Sequence, residues 1–192
     1  MATTVEARKV WAEADLQALP HDRHNYELVD GELVMSPKNN FAHGDLCARL
    51  LSALVQFNPQ HRLGVVLDSS TGFWMSNRNC RAPDISFVSK ARMQQAGFSR
   101  RTGRFFPGGP DLAAEVLAPS NTPGDIDARL EDFFSSGTRL VWIVRPDERR
   151  AEVCHSPDDR RRLGPDASLD GEDVLPGFRL PLNDLFLPED DA

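Results

Sequence analysis

Cysteine is scarce in this chain and poorly placed for cross-linking. The three thiols among 192 residues, Cys47, Cys80 and Cys154, are odd in number, far apart and without a CxxC. They are read here as lacking a nearby histidine, which leaves both a disulfide framework and a zinc site unsupported and predicts reduced filler. An excess of positive charge is also missing. A formal net charge of −7 argues against a protein that coats nucleic acid by bulk electrostatics. Long apolar runs are absent as well. The opening MATTVEARKVWAEADLQ carries acidic residues and no apolar stretch, so it does not read as a secretory signal, and no window approaches the length that spans a bilayer. The expectation is a cytoplasmic protein with no membrane partner. Internal repeats and low-complexity tracts are missing too.

What is present, 40% hydrophobic and 27% charged residues, suits one globular domain with room for a core. The expected organisation is an N-terminal helical segment over 1–20 and a single domain over 21–192. Positive charge is concentrated locally. Lys90, Arg92, Arg100, Arg101 and Arg104 form one group, and Arg149, Arg150, Arg160, Arg161 and Arg162 another; solvated surface and phosphate contact are the two readings of each. Trp11, Trp74, Phe105 and Phe106 include aromatics outside clear core patterns, which leaves a homodimer patch open.

Along the chain, 12–19 suits a short helix closed by Pro20. After the polar linker HDRHN, YELVDGELVMSP holds Asp30-Gly31, a two-residue hairpin turn. That turn sets Leu28 against Leu33, Glu27 against Val34 and Tyr26 against Met35. It predicts a core face of Tyr26, Leu28, Leu33 and Met35, with Glu27 partly buried on the other. Leu46, Leu50, Leu51, Leu54 and Val55 have helical spacing within 42–57, and Pro59 is expected to stop that helix. GVVLDSS, GFWMS and DISFVS read as three strands of an antiparallel meander. A helix over 90–95 leads into GFSRRTGRFFPGGP, expected to be a mobile surface loop. DLAAEVLAPS follows as a strand, then a helix over 125–136 with Ile126, Leu130 and Phe133 or Phe134 as its stripe and Gly137 as its stop. LVWIVR and AEVCHS pair across the turn PDERR, and LPGFRLPLNDLF closes with a strand and a helical turn. The order predicts an α+β or mixed α/β fold, a central mixed sheet flanked by helices.

Four polar residues stand where apolar ones are expected: Glu27 in the hairpin, His43 opening the long helix, Asp84 heading APDISFV, and Glu115 in the strand DLAAEV. Hard cations such as Mg²⁺ take oxygen ligands, commonly one or two carboxylates with waters and substrate phosphates. Asp84 and Glu115, near the ends of neighbouring strands, suit that chemistry. Each residue also has a structural reading. Asp84 can serve as a turn or cap residue, Glu115 as the partner of an arginine such as Arg81, Glu27 as a solvated edge residue, and His43 as a helix-entry residue.

Taken together, YELVDGELVMSP, AHG, APDISFVS, DLAAEVLAPS and the helix before VWIV resemble, in this order and over roughly 20–187, the Uma-type restriction endonuclease family of the PD-(D/E)XK nuclease superfamily. The resemblance implies a restriction-endonuclease-like fold and Mg²⁺- or Mn²⁺-dependent hydrolysis of phosphodiester bonds in nucleic acid, DNA in the first place. It also favours a homodimer. By position, Pro83-Asp84 stand as the PD pair and Glu115 as the D/E residue, with the Val116 carbonyl as a further metal ligand. Glu27 and His43 match the acidic residue of the hairpin and the histidine of the AHG-like segment; Glu27 would hold the metal's water or a second ion. The superfamily's lysine belongs at Leu117. In this family a lysine on the following helix takes over that task, and its matching position is Arg129. Arginine keeps the charge and grips phosphate in two places, but cannot serve as a general base. Phe133 stands where the family often has tyrosine, and Arg145 where aspartate commonly follows the WIV strand. Two readings result: a metal-dependent nuclease using Glu27, His43, Asp84, Glu115 and Arg129, or a catalytically impaired nuclease fold that binds nucleic acid or another protein.

Overall fold

The computed structural model describes residues 9–20, 24–37 and 40–186; the first part of the expected linker, 21–23, lies outside them. Helix α1 (Glu13–Gln17) occupies the middle of the predicted 12–19. It is tied to the distant loop by Gln17 Nε2, which donates to the Gly103 carbonyl at 3.0 Å, and by Glu13, which accepts the Phe105 N–H at 2.7 Å.

Strands β1 (His24–Val29) and β2 (Glu32–Pro37) pair in the predicted register, with Glu27 opposite Val34 and Leu28 opposite Leu33. Asp30 and Gly31 both take the left-handed conformation, φ 50° and 78°, which the tight hairpin turn requires. The expected core face is corrected. Met35 is 59% exposed and Tyr26 and Leu33 only half-buried, whereas Glu27 is 7% exposed. The hairpin pairs with a later strand through Leu28, opposite Cys80. On its other face Glu27 is covered by partners from other elements, while Glu32 and Val34 stay exposed.

Helix α2 (Phe41–His61) starts at Asn40, whose side chain accepts the His43 N–H at 2.9 Å. It buries Leu46, Leu50 and Leu54. The expected stop at Pro59 is overrun: a proline forfeits its own N–H bond without forbidding the last turn. The helix ends instead at Arg62, φ 49°, whose N–H reaches the Asn58 carbonyl. The Asn58 side chain then brackets Gly64, bonding both its N–H and its carbonyl.

The three strands expected as a meander divide between two sheets. Strand β3 (Gly64–Asp68) pairs antiparallel with β6 (Ile85–Ser89). The segments between them, β4 (Phe73–Trp74) and β5 (Cys80–Arg81), join the hairpin and β7 (Phe106–Pro107) in a sheet ordered β2-β1-β5-β4-β7. Strand β7 lies in the stretch expected to be a mobile loop. Phe106 pins it, buried against Phe73 and Phe98 with ring centroids 5.9 and 5.0 Å away. Helix α3 (Lys90–Gln95) falls where predicted, capped by Ser89.

The second sheet carries the centre of the molecule. Its order is β11-β10-β9-β8-β6-β3, with β8 (Leu112–Val116), β9 (Leu140–Arg145), β10 (Arg150–Cys154) and β11 (Arg160–Leu163). Only β8 and β9 run parallel, and such a pair needs a crossover. Helix α4 (Pro123–Ser135) supplies it, one residue or two displaced from the predicted 125–136. The side chains of the sheet alternate between two cores. Leu112, Ala114, Val116, Leu140, Trp142 and Val144 pack with Leu46, Leu50 and Leu54 of α2; Ala113, Val141 and Ile143 pack with Ile126, Leu130 and Phe133 of α4. The chain closes with β12 (Ser168–Asp170), β13 (Arg179–Pro181) and α5 (Leu182–Leu185). β11 carried no strand signal because RRRL has no alternation, and it is an edge strand.

Candidate functional site

Alternation along β8 decides where Glu115 points. Ala113 faces α4, so Glu115, two residues on, faces α4 as well. That helix presents Arg129 one position before the buried Leu130. Arg129 Nη1 donates to Glu115 Oε1 at 3.0 Å and to Glu27 Oε1 at 3.0 Å, while Nη2 donates to Glu27 Oε2 at 2.8 Å. Glu27 receives the bidentate fork and Glu115 a single N–H. Burial pushes the Glu115 carboxyl up to about 8; Arg129 opposes the rise, and Asp84 and Glu27 add to it. Burial alone would lower the pKa of Arg129, but Glu115 and Glu27 together raise it.

Glu27 has further partners. The Ala82 N–H donates to its Oε1 at 2.9 Å and Arg81 Nη1 to its Oε2 at 3.3 Å. Both oxygens are thus engaged, so the expectation that Glu27 holds a metal's water or a second ion meets a carboxylate already saturated by N–H donors. The reading of Glu115 as the partner of an arginine holds, but the arginine is Arg129 and not Arg81, which bonds Glu27 and, at 2.6 Å through Nε, Asp132 of α4. Asp132 also accepts from the side chains of Asn77 and Asn79. This second carboxylate was not singled out in the sequence. Its signal was its place three residues after Arg129, on the same side of the helix.

Asp84 sits just before β6, where it caps the end of β8: its Oδ2 accepts the Val116 N–H at 2.9 Å. His43, on the first turn of α2, lies with Nε2 3.3 Å from the same oxygen. The hydrogen bond to Asp84 raises the His43 pKa; burial opposes it, and the Asp84 charge and the Val116 carbonyl assist. His43 Nδ1 lies 3.5 Å from Cys47 Sγ, one helical turn along. The reading of Cys47 as a thiol without a nearby histidine is therefore corrected. The spacing HGDLC contained the pair, because residues four apart share a helix face. All three cysteines are free thiols. Burial first, then nearby carboxylates, raises the pKa of Cys47; burial likewise pushes Cys80 and Cys154 up to about 12.

Glu27, His43, Asp84, Glu115, Val116 and Arg129 all line one cleft of about 170 Å³, together with Leu117. The donor set suits a hard divalent ion: Asp84 Oδ1 and Glu115 Oε2 take no hydrogen bond among the described residues, and both are oxygens. Several members of the two basic groups outside the cleft pair with carboxylates. Arg92 pairs with Asp111, Arg104 with Glu13, Arg160 with Asp127, and Arg162 with Glu152, which Arg145 also holds. No helix among the described residues is long and apolar enough to cross a membrane.

No curated protein matches this chain. Among solved structures it is similar to a protein from Anabaena variabilis described as "a putative nuclease belonging to DUF820". The identity is 19% and the TM-score 0.76, over 90% of this chain and 96% of that one. The likeness identifies the architecture, a restriction-endonuclease-like fold. Since the family described as "Uma2: Putative restriction endonuclease" matches residues 13–183, nearly the whole described chain, this protein belongs to that family.

Proposed function

We propose that this protein is a metal-dependent endonuclease that hydrolyses phosphodiester bonds in nucleic acid, DNA in the first place. Asp84, Glu115 and the Val116 carbonyl would hold Mg²⁺ or Mn²⁺. The observation that carries this reading is the meeting of the two carboxylates, from the ends of the adjacent strands β6 and β8, in one cleft with the Arg129 guanidinium. When bound, such an ion supplies Lewis acidity toward a phosphoryl oxygen and lowers the pKa of water. The chain's own groups do the rest. Arg129 brings positive charge to the cleft and stays protonated throughout, so it serves a phosphate and not a proton transfer. Glu27 positions Arg129 through the fork. His43 steadies Asp84 from the other side through its Nε2. Leu117 keeps one wall of the cleft apolar.

The test is nicking of supercoiled plasmid and of structured RNA with Mg²⁺ or Mn²⁺. Wild type is expected to nick and Asp84→Ala is not. Absence of cleavage of both substrates with either ion overturns the proposal. One observation favours a second reading, a nuclease fold that binds nucleic acid without cutting it: Arg129 already offsets the charge of Glu27 and Glu115, the charge a cation would seek. That reading expects a gel shift with DNA, no cleavage, and no Mg²⁺ or Mn²⁺ binding in the millimolar range.

A further inference from the structure

We propose that His43, Cys47 and Asp84 form a second metal site, for a thiophilic divalent cation of the zinc type, and that filling it inhibits the carboxylate site by engaging Asp84. The site stands independently of the nuclease reading; its inhibitory consequence rests on that reading.

Helix α2 sets His43 and Cys47 four residues apart on one face, the spacing by which helices present paired zinc ligands. Their donor atoms, Nδ1 and Sγ, are 3.5 Å apart. A tetrahedral zinc with sulfur at about 2.3 Å and nitrogen at about 2.0–2.1 Å holds those ligands roughly 3.6 Å apart, so the pair is already at ligand separation. Asp84 adds a carboxylate. Its Oδ2 meets the ring at the other nitrogen, 3.3 Å from Nε2, and would turn from it to ligate an ion held on Nδ1 and Sγ, one donor atom from each of the three residues lying within 4.8 Å of the others. A second cleft of about 290 Å³ opens on these residues, lined also by Asn40, Asp68 and Ser69. It leaves room for the water or fourth ligand that a three-ligand zinc site takes.

Donor chemistry sets the choice of ion. Sulfur and imidazole nitrogen favour Zn²⁺ and Co²⁺ over Mg²⁺, which demands oxygen. One thiolate and one carboxylate would balance a double positive charge, with the thiol proton released to solvent on binding. Asp84 lines both clefts. A carboxylate that ligates one ion has less charge to offer another, so the two sites compete through it.

The experiment is titration of the whole protein with Co²⁺, without nucleic acid, followed by absorption. Wild type is expected to take up one equivalent with a thiolate-to-cobalt charge-transfer band that Zn²⁺ removes. Cys47→Ser should lose the band and bind at least tenfold more weakly, while its thermal midpoint without metal shows that it folds. His43→Ala should weaken binding in the same way. A wild-type spectrum without the thiolate band, or one that Cys47→Ser leaves unchanged, overturns the site. In plasmid nicking with Mg²⁺, micromolar Zn²⁺ should inhibit wild type at least tenfold more strongly than Cys47→Ser. Equal inhibition of the two overturns the competition while leaving the spectroscopic result standing. A protein that shows the band and never nicks separates failure of the nuclease reading from failure of the site.

Discussion

Arg129 grips Glu27 with both terminal nitrogens, at 3.0 and 2.8 Å, across 102 residues of sequence. The same Nη1 reaches Glu115. Removing this guanidinium leaves two carboxylates, each 7% exposed, without their main counter-charge. Breaking a fully buried pair costs about 3–5 kcal/mol. The Arg129 side chain is 21% exposed, so Arg129→Ala is expected at about 2–4 kcal/mol in urea unfolding. Adding Glu115→Gln to Arg129→Ala should recover part of the loss. Additive losses in the double-mutant cycle would show that the pair is not coupled. Arg129→Lys keeps the charge and loses the fork, and should fall between wild type and Arg129→Ala.

Stability of the metal-free protein should depend on pH through Glu115. Burial raises this carboxyl from 4.5 to about 8 in the folded state. Below about pH 4.5 it is protonated in both states and exacts no penalty. As pH rises toward 8 the unfolded chain ionises first, and stability falls, by up to about 1.4 kcal/mol per pH unit where the difference is one full proton. Unfolding in chelator from pH 5 to 9 checks this: the wild-type curve should decline relative to Glu115→Gln. Parallel curves would remove Glu115 as the cause.

Asp132 is the hub that orients Arg81, which in turn holds Glu27. It accepts from Arg81, Asn77 and Asn79 while only 4% exposed. Asp132→Ala leaves the buried Arg81 with Glu27 alone, and about 3–5 kcal/mol should be lost. Asp132→Asn, which keeps an acceptor oxygen, should lose less. The comparison is by chemical denaturation midpoints.

Helix α4 begins with a capping box. Thr122 accepts the Asp125 N–H, and Asp125 accepts from the Thr122 N–H and hydroxyl. The Thr122 hydroxyl and then its N–H hold the Asp125 carboxyl below its ordinary value. Thr122→Ala should cost about 1 kcal/mol. The Asp125 contribution is present above the unfolded carboxylate pKa and fades as pH falls through the lower folded one. The mutational difference measured at pH 7 should therefore shrink below pH 4.

Gly64 is opposite Ser89 in the pairing of β3 with β6. A Cβ there would lie 2.1 Å from the Val88 carbonyl and 2.8 Å from the Phe87 ring. The obstacle is partly backbone, which cannot rotate away. Gly64→Ala should destabilise by about 3 kcal/mol, at the upper end of overpacking effects. Gly44, with open space around its Cβ position, serves as the control, and Gly44→Ala in a helix should be neutral or slightly stabilising.

Much of the local structure was legible in the residue pattern. Asp30-Gly31 determined the hairpin register, because a two-residue turn leaves only one pairing. The helix over 90–95 fell where expected as α3, and the spacing of Ile126 and Leu130 marked the buried stripe of α4, leaving Phe133 and Phe134 open until the structure buried Phe133. Period two along DLAAEV placed Glu115 on the face opposite Leu112 and Ala114. What those patterns report is periodicity and turn chemistry, both properties of neighbours in sequence. They do not name a strand's partner, so GFWMS could not be assigned to the hairpin's sheet. Nor could they show that the hairpin buries Glu27 more deeply than Met35. Tertiary structure alone decided that Arg81 serves Glu27 and Asp132, that Arg129 bridges Glu27 and Glu115, and that Asp84 stands between His43 and the end of β8. Charges buried together find partners wherever the fold brings them. Their energy depends on separation in space and on exclusion of water, and neither is written in the order of the residues.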